Sequence, residues 1–179
     1  SQVLDLKRKE AEYVIFQGYV LAPVPAVIKQ ARDYGLKAKF MGTHWGTHKM
    51  LLDKMGPLAE GYLGVMPYSF YYEADVPIMK KIKAWNAKHH PDVEYRPTSY
   101  MQGFFTGQVF VEALKRADEM GSFDGDTLVK ALQSIEDVDV GGMMAPITVV
   151  NNKIPMGRVY RANVGKKEFE PISDWIRTD

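Results

Sequence analysis

The stretch from Tyr13 to Gly42, YVIFQGYVLAPVPAVIKQARDYGLKAKFMG, determines the fold of this chain. An apolar run, Tyr13–Phe16, stops at Gly18, and a segment of helical period follows from 24 to 34 before a second short apolar run. The first run does not alternate with polar residues, which predicts a strand of a parallel sheet that is covered on both faces. The sequence therefore predicts an α/β fold.

The turns that follow these two strands are the candidate binding positions. Ligands of open parallel sheets bind beyond the carboxyl ends of the strands. Tyr19 follows the first strand, and His44 and Trp45 follow the second one. We therefore expect all three side chains to line one cleft. In the alternatives, Tyr19 packs its turn against the prolines after it, and Trp45 covers the start of the next helix.

Composition excludes several classes of function. The 179 residues are 46% apolar, which is enough for one ordinary core or two small lobes. The net charge is +1 with both signs mixed, which argues against a nucleic-acid groove or a basic membrane patch. The chain has no cysteine, so it forms neither disulfides nor thiolate metal sites. It starts at Ser1, on what reads as the end of a helix, and we expect sequence upstream of it.

The segments after Gly42 predict a short helix, a third strand and then three longer helices. Thr43 or Thr47 is predicted to cap the short helix, and residues 61–66 form the third strand. The three helices are predicted over 75–90 with Asp75 as N-cap, over 99–120, where Phe104, Phe105 and Val111 are on the buried stripe, and over 126–135. Strands follow at 147–150 and 159–164, around a turn at Asn151 and Asn152.

Three segments together resemble the type I periplasmic solute-binding proteins. They are VIFQGYVLAPVPAVIKQARDYGLKAKFMG, SYMQGFFTGQVFVEALKRADEMG and GGMMAPITVVNNKIPMGRVYRANV. The likeness is greatest to the branched-chain amino-acid (Leu/Ile/Val) binding family of ABC transporters, and it covers nearly the whole chain in the same order.

This resemblance implies a three-layer lobe with a parallel sheet, together with helices that belong to a second, incomplete lobe. Residues 1–66 and 143–179 would form second-lobe segments with hinge strands. Residues 67–142 would form a crossover and the helices that return to the first lobe, whose sheet is missing. The chain would then be the C-terminal half of its protein.

The resemblance also implies a function. It implies an extracytoplasmic solute-binding protein, periplasmic or lipid-anchored, that captures a small polar organic ligand for an ABC permease and needs neither a cofactor nor nucleic acid. A ligand-sensing receptor module of the same fold is the alternative. An enzyme is not expected, because no nucleophile motif, phosphate loop or acid–base pair is evident.

Five ligand-binding residues follow from the resemblance: Tyr19, His44, Trp45, Tyr100 and Phe104. Tyr19 matches the tyrosine that lines the cleft in the family. Tyr100 and Phe104 lie at the start of a returning helix, where an aromatic side chain covers the ligand. For Phe104, a place in the apolar stripe of its own helix is the alternative.

His44 departs from the family pattern. The amino-acid binders commonly carry a carboxylate here, which pairs with the ammonium group of the ligand. A histidine cannot supply a permanent negative charge, so His44 favours a small carboxylate, amide or aromatic acid as ligand. In the alternative, His44 caps the next helix and contacts no ligand. His44 and His48 have metal-ligand spacing, but no third ligand is evident and no metal is predicted.

The missing half has a structural consequence. The helices over 75–136 carry apolar faces that should pack on a sheet that this chain does not contain. We expect a missing N-terminal half or a second copy of the chain to cover them.

Overall fold

The computed structural model of the protein describes residues 2–18 and 22–178. The helices and strands are labelled in chain order. The helices are α1 (Gln2–Arg8), α2 (Pro23–Asp33), α3 (Lys49–Met55), α4 (Pro77–His89), α5 (Thr98–Glu119) and α6 (Gly125–Gln133). The strands are β1 (Tyr13–Phe16), β2 (Lys39–Gly42), β3 (Leu63–Met66), β4 (Met156–Asn163), β5 (Glu168–Pro171) and β6 (Ile176–Arg177). Short 3₁₀ turns occupy His44–Gly46 and Gly56–Ala59.

The chain divides into two compact units. The first comprises residues 1–67 and 157–176, and the second comprises residues 68–156 and 177–179. The predicted assignment of segments to two lobes remains a prediction. None of the helices in the described part of the chain combines the length and apolar character needed to cross a bilayer.

The first unit is built on a mixed sheet. Its strands follow the order β1-β2-β3-β4-β5, and β6 pairs with β4. β1, β2 and β3 are parallel, whereas β4 is antiparallel to both β3 and β5. Phe16 lies opposite Gly42 and Gly42 lies opposite Gly64, so the three parallel strands end at one edge of the sheet. The predicted α/β fold is confirmed.

Helix α2 packs because its apolar residues recur at helical spacing. Val24, Ile28 and Ala31 are fully buried, whereas Lys29 and Asp33 form an exposed ion pair of 2.8 Å. The left-handed backbone of Gly35, with φ +72°, follows the helix end.

Strand β1 contradicts the prediction that both its faces are covered. Tyr13 and Ile15 are 52% and 64% exposed, although the strand occupies the predicted residues. In the described part of the chain β1 pairs with β2 alone and is an edge strand, and its face that carries Tyr13 and Ile15 is open to solvent.

The second unit contains the three predicted helices. Met79 and Ile82 of α4, Met101 of α5 and Ile135 after α6 are buried. The predicted burial of Val111 is wrong, because this side chain is 50% exposed. Large apolar side chains of this unit remain exposed by about half: Trp85, Phe110, Val111, Met120, Phe123 and Val129.

The predicted helix caps are wrong. Val76, not Asp75, occupies the N-cap position of α4, where Pro77 begins the helix. His48 occupies that of α3, and Thr43 makes no side-chain cap bond to a described residue. Asp124 does cap α6, since its carboxylate accepts a hydrogen bond from the Thr127 N–H.

The predicted strand over 147–150 is also wrong. Ile147 and Val150 form isolated bridges, with Val138 and Lys153 respectively, instead of a ladder. The turn between Val150 and Lys153 is nevertheless as predicted. Asn151 and Asn152 both have positive φ, 48° and 60°, which asparagine tolerates better than most residues.

Candidate functional site

The turn His44–Gly46 lies directly beyond the carboxyl end of β2. The backbone N–H of Thr43 donates to the Phe16 carbonyl at the end of β1, over 3.2 Å. Gly46 N–H donates to Thr43 O over 2.8 Å and closes the turn. The geometry therefore holds His44 and Trp45 at the edge where the parallel strands end.

His44 and Trp45 contact each other. Their ring centroids are 4.7 Å apart and the planes are inclined by 41°. Trp45 is 45% exposed, whereas His44 is partly buried. Together they present an aromatic surface with an imidazole beside it, which suits a ligand that has both apolar and polar groups.

Burial determines the charge of the two histidines in this region. Desolvation lowers the pKa of His44 below its usual 6.5, and it lowers the pKa of His48 in the same direction. Both imidazoles are therefore neutral at pH 7, and His44 has one ring nitrogen that donates and one that accepts. Across residues 2–18 and 22–178, no three His, Asp or Glu side chains are grouped to hold a metal ion.

Tyr19 lies outside the described residues. Gly18, at the end of the preceding segment, has φ +94°, a backbone conformation that glycine adopts readily. The proposed role of Tyr19 therefore stays a prediction.

Tyr100 and Phe104 lie on the first turns of α5, in the second unit. Both line an open, largely apolar cavity of about 400 Å³, together with Ile78, Lys81, Ile82 and Trp85. The guanidinium carbon of Arg96 is 4.7 Å from the centroid of the Tyr100 ring. Phe104 is only partly buried and also borders a second cavity, so its helical period does not make it a core residue.

Sequence reasoning named Thr47 only as a helix cap and did not consider Tyr62, although both lie against the His44–Trp45 turn. Thr47 is fully buried, and Oγ1 lies 2.9 Å from the Thr43 carbonyl oxygen. Tyr62 is 2% exposed, and burial raises the pKa of its hydroxyl. A signal was present in the sequence, because glycines inside strands, here Gly42 and Gly64, often mark a close approach of another group.

Comparison with known proteins identifies the family. Residues 1–168 match the model of the periplasmic binding protein family, and the chain belongs to this family. No curated protein sequence is significantly similar to the chain. The family membership confirms the resemblance and the predicted type of lobe.

Solved structures of ABC-transporter binding proteins share the fold. One is a branched-chain amino-acid ABC transporter protein from Thermus thermophilus with bound valine, with a TM-score of 0.73, 20% identity, and coverage of 99% of this chain and 49% of that one. Another is a leucine-binding protein from Thermotoga maritima, with a TM-score of 0.73, 15% identity, and coverage of 99% and 48%. A fatty acid ABC transporter substrate-binding protein from Thermomonospora curvata has a TM-score of 0.75, 17% identity, and coverage of 99% and 46%. The chain thus spans about half the length of these proteins.

Proposed function

We propose that the chain forms part of an extracytoplasmic solute-binding protein that captures a small polar organic ligand for uptake by an ABC permease. The observation that carries this proposal is the position of the His44–Gly46 turn at the common carboxyl edge of β1, β2 and β3. Ligands of open α/β sheets bind at this edge. Family membership supports a binding role rather than a catalytic one.

The proposed ligand is a small carboxylate, amide or aromatic acid. The segments that follow the three parallel strands, 17–22, 43–48 and 67–72, contain no aspartate or glutamate. His44 is neutral at pH 7, because burial lowers its pKa. These segments therefore offer no fixed negative charge to an α-ammonium group, whereas the His44 N–H can donate to a carboxylate or carbonyl oxygen.

The fold by itself does not determine which ligand binds. The protein from T. thermophilus is described with bound valine, and the one from T. curvata is named for fatty acids. Both share their fold with this chain, so side chains at the edge of the sheet must decide which ligand binds.

The proposed mechanism is closure of two lobes around the ligand. Tyr19, His44 and Trp45 would contact it from the second lobe, and Tyr100 or Phe104 would cover it from the first lobe. Ligand contacts made only in the closed state would shift the population towards that state, which the permease then recognises. Residues 67–72 would form part of the hinge.

A covering partner for the helices α4 to α6 is part of this proposal. Phe110, Val111 and Val129 are each about half exposed, which is unusual for large apolar side chains on neighbouring helices. We propose that an upstream half of the protein, or a second copy of the chain, covers them. The intact mass and oligomeric state of the protein as its gene encodes it would test this directly.

A ligand panel tests the function. The intact protein would be titrated by calorimetry and thermal shift with leucine-like amino acids, small aliphatic and aromatic carboxylates, and their amides. A ligand at 100 times its Kd stabilises the folded state by about 2.7 kcal/mol, which a thermal shift detects. We expect a carboxylate or amide to bind, and His44→Ala to weaken it at least tenfold.

His90→Ala is the matched control, because His90 is an exposed histidine in the second unit. It should leave the affinity unchanged. A protein that responds to leucine-like amino acids alone would refute the ligand class, and a protein that binds nothing in the panel would refute the binding function as stated.

A further inference from the structure

Two glycines lie opposite each other, Gly42 at the end of β2 and Gly64 within β3. Gly42 and Gly64 are paired in the parallel ladder, and both are buried. Neither has the positive φ that would demand glycine for backbone reasons. Glycine therefore matters at these positions because it has no side chain, which lets other atoms approach the strand backbone closely.

Thr47, Tyr62 and the backbone of Gly46 fill this room. A Cβ atom added at Gly64 would overlap the Oγ1 and Cγ2 atoms of Thr47 and would lie 2.8 Å from its Cβ. A Cβ atom added at Gly42 would overlap the Tyr62 hydroxyl and would lie 3.1 Å from the Gly46 carbonyl. The turn can approach the strand ends this closely only because both positions are glycine.

Thr47 also ties the turn by hydrogen bonding. Its hydroxyl Oγ1 lies 2.9 Å from the Thr43 carbonyl oxygen and 3.4 Å from that of Gly42, and the side chain is fully buried. Thr43 immediately precedes His44, so Thr47 connects the end of the turn to its beginning. Without this hydroxyl the Thr43 carbonyl would still accept from the Gly46 N–H, but the bond that reaches from Thr47 across the turn would be lost.

We propose that Gly42, Gly64 and Thr47 form a seat, called here the glycine seat, that sets the position of the His44–Trp45 turn and thereby selects the ligand. The inference rests on the proposed function, since it assigns positioning residues to the same site. A neutral imidazole acts through one directed hydrogen bond, so a shift of about 1 Å in the turn can cost up to a hundredfold in a precisely positioned site.

Gly64→Ala tests the seat through overlap. The added methyl group should displace Thr47 and weaken the best ligand of the panel at least tenfold, with a change in the NMR signals of the His44 ring and the Trp45 indole N–H. The double variant Gly64→Ala with Thr47→Gly removes the overlapping atoms but also the Thr47 hydroxyl, so its His44 and Trp45 signals should match those of Thr47→Gly alone. Gly125→Ala is the control, because a Cβ atom there meets no other atom within 4 Å.

Substitutions of Thr47 test the seat without a ligand and without overlap. Thr47→Ser keeps the hydroxyl and should keep the His44 and Trp45 signals, and the His44 pKa measured by NMR. Thr47→Val keeps the shape but loses the hydroxyl, and should change all three. The NMR signals of the two variants report the position of the turn, and their thermal midpoints report any loss of stability. The comparison therefore distinguishes a positioning role from a purely stabilising one.

Unchanged His44 and Trp45 signals in both Gly64→Ala and Thr47→Val would overturn the seat. Equal changes in Thr47→Ser and Thr47→Val would overturn the role of the hydroxyl. Because these signals are recorded without ligand, a protein that binds nothing in the panel refutes the proposed function and leaves the test of the seat intact.

Discussion

Replacing Asn86 by alanine is expected to reduce the free energy of unfolding of the second unit by about 2–4 kcal/mol. Asn86 lies on α4 and is 4% exposed. Its amide Nδ2 donates to the Val93 carbonyl over 2.5 Å, and its Oδ1 accepts from Arg96 Nε over 2.6 Å. One side chain thus connects the end of α4 to two points of the segment that leads into α5.

The magnitude follows from the two bonds. A neutral hydrogen bond contributes about 0.5–1.5 kcal/mol, and one to a charged group contributes about 1.5–3 kcal/mol. Arg96 Nη2 is buried and has no hydrogen-bond partner among the described residues. The guanidinium therefore has little compensation left when Asn86 is removed, apart from the face of the Tyr100 ring.

Urea unfolding followed by tryptophan fluorescence and circular dichroism measures this loss. Trp85 precedes Asn86 on α4 and reports on the second unit. With an m value of about 2 kcal/mol/M, the midpoint should fall by about 1–2 M.

Two further variants of α4 serve as comparisons for Asn86→Ala. Asn86→Asp keeps the acceptor for Arg96 and should lose roughly half as much as Asn86→Ala. Lys88→Ala changes an exposed residue of the same helix and should stay within about 0.5 kcal/mol of the natural protein. A loss below about 1 kcal/mol in Asn86→Ala would show that the two bonds do not stabilise this connection.

Three further predictions concern acid stability and the helices. Burial lowers the pKa of His44 and His48, so the unfolded state binds more protons than the folded state below pH 6.5, and the thermal midpoint should fall between pH 7 and pH 5. In a double variant with glutamine at both positions this fall should be smaller, and an equal fall would contradict the prediction. Gly103 lies inside α5, and a Cβ atom there meets no other atom within 4 Å, so Gly103→Ala should raise the free energy of unfolding, measured by urea denaturation, by about 0.5–1 kcal/mol. A decrease would show that the added methyl group does not fit. Asp124→Ala should lower the thermal midpoint because α6 loses its N-cap, whereas Asp124→Asn should retain it, and equal midpoints for the two variants would argue against the cap.

The sequence predicted the elements better than their burial. Strand β1 and helix α2 were located correctly, because a local apolar pattern determines both. The exposure of Tyr13 and Ile15 could not be predicted in the same way, since it depends on whether another element packs on that face of β1 and not on β1 itself.

Single polar side chains were the hardest to place. Asp75 was predicted to cap α4, but the helix begins beyond Val76 at Pro77. Asn86 lies within an amphipathic helix, and it accepts a hydrogen bond from Arg96, which is ten residues away in sequence. Such contacts depend on the tertiary arrangement and leave no periodic signal.

The candidate site was predicted in part. His44 and Trp45 do lie where the strands end, which strand order and parallel pairing make predictable. The role of Thr47 required coordinates, because it depends on Gly64, which is seventeen positions away and contacts Thr47 only after β2 and β3 have paired.

The exposed outer strand has a practical consequence for handling the chain by itself. β1 pairs on one side within the described part of the chain, and the apolar side chains of Tyr13 and Ile15 face water. An unpaired edge strand that carries exposed apolar side chains can pair with a strand of another molecule, which produces aggregates at high concentration. Preparations of this chain will therefore keep better when dilute, and a lysine in place of Ile15 is the simplest way to make them more soluble.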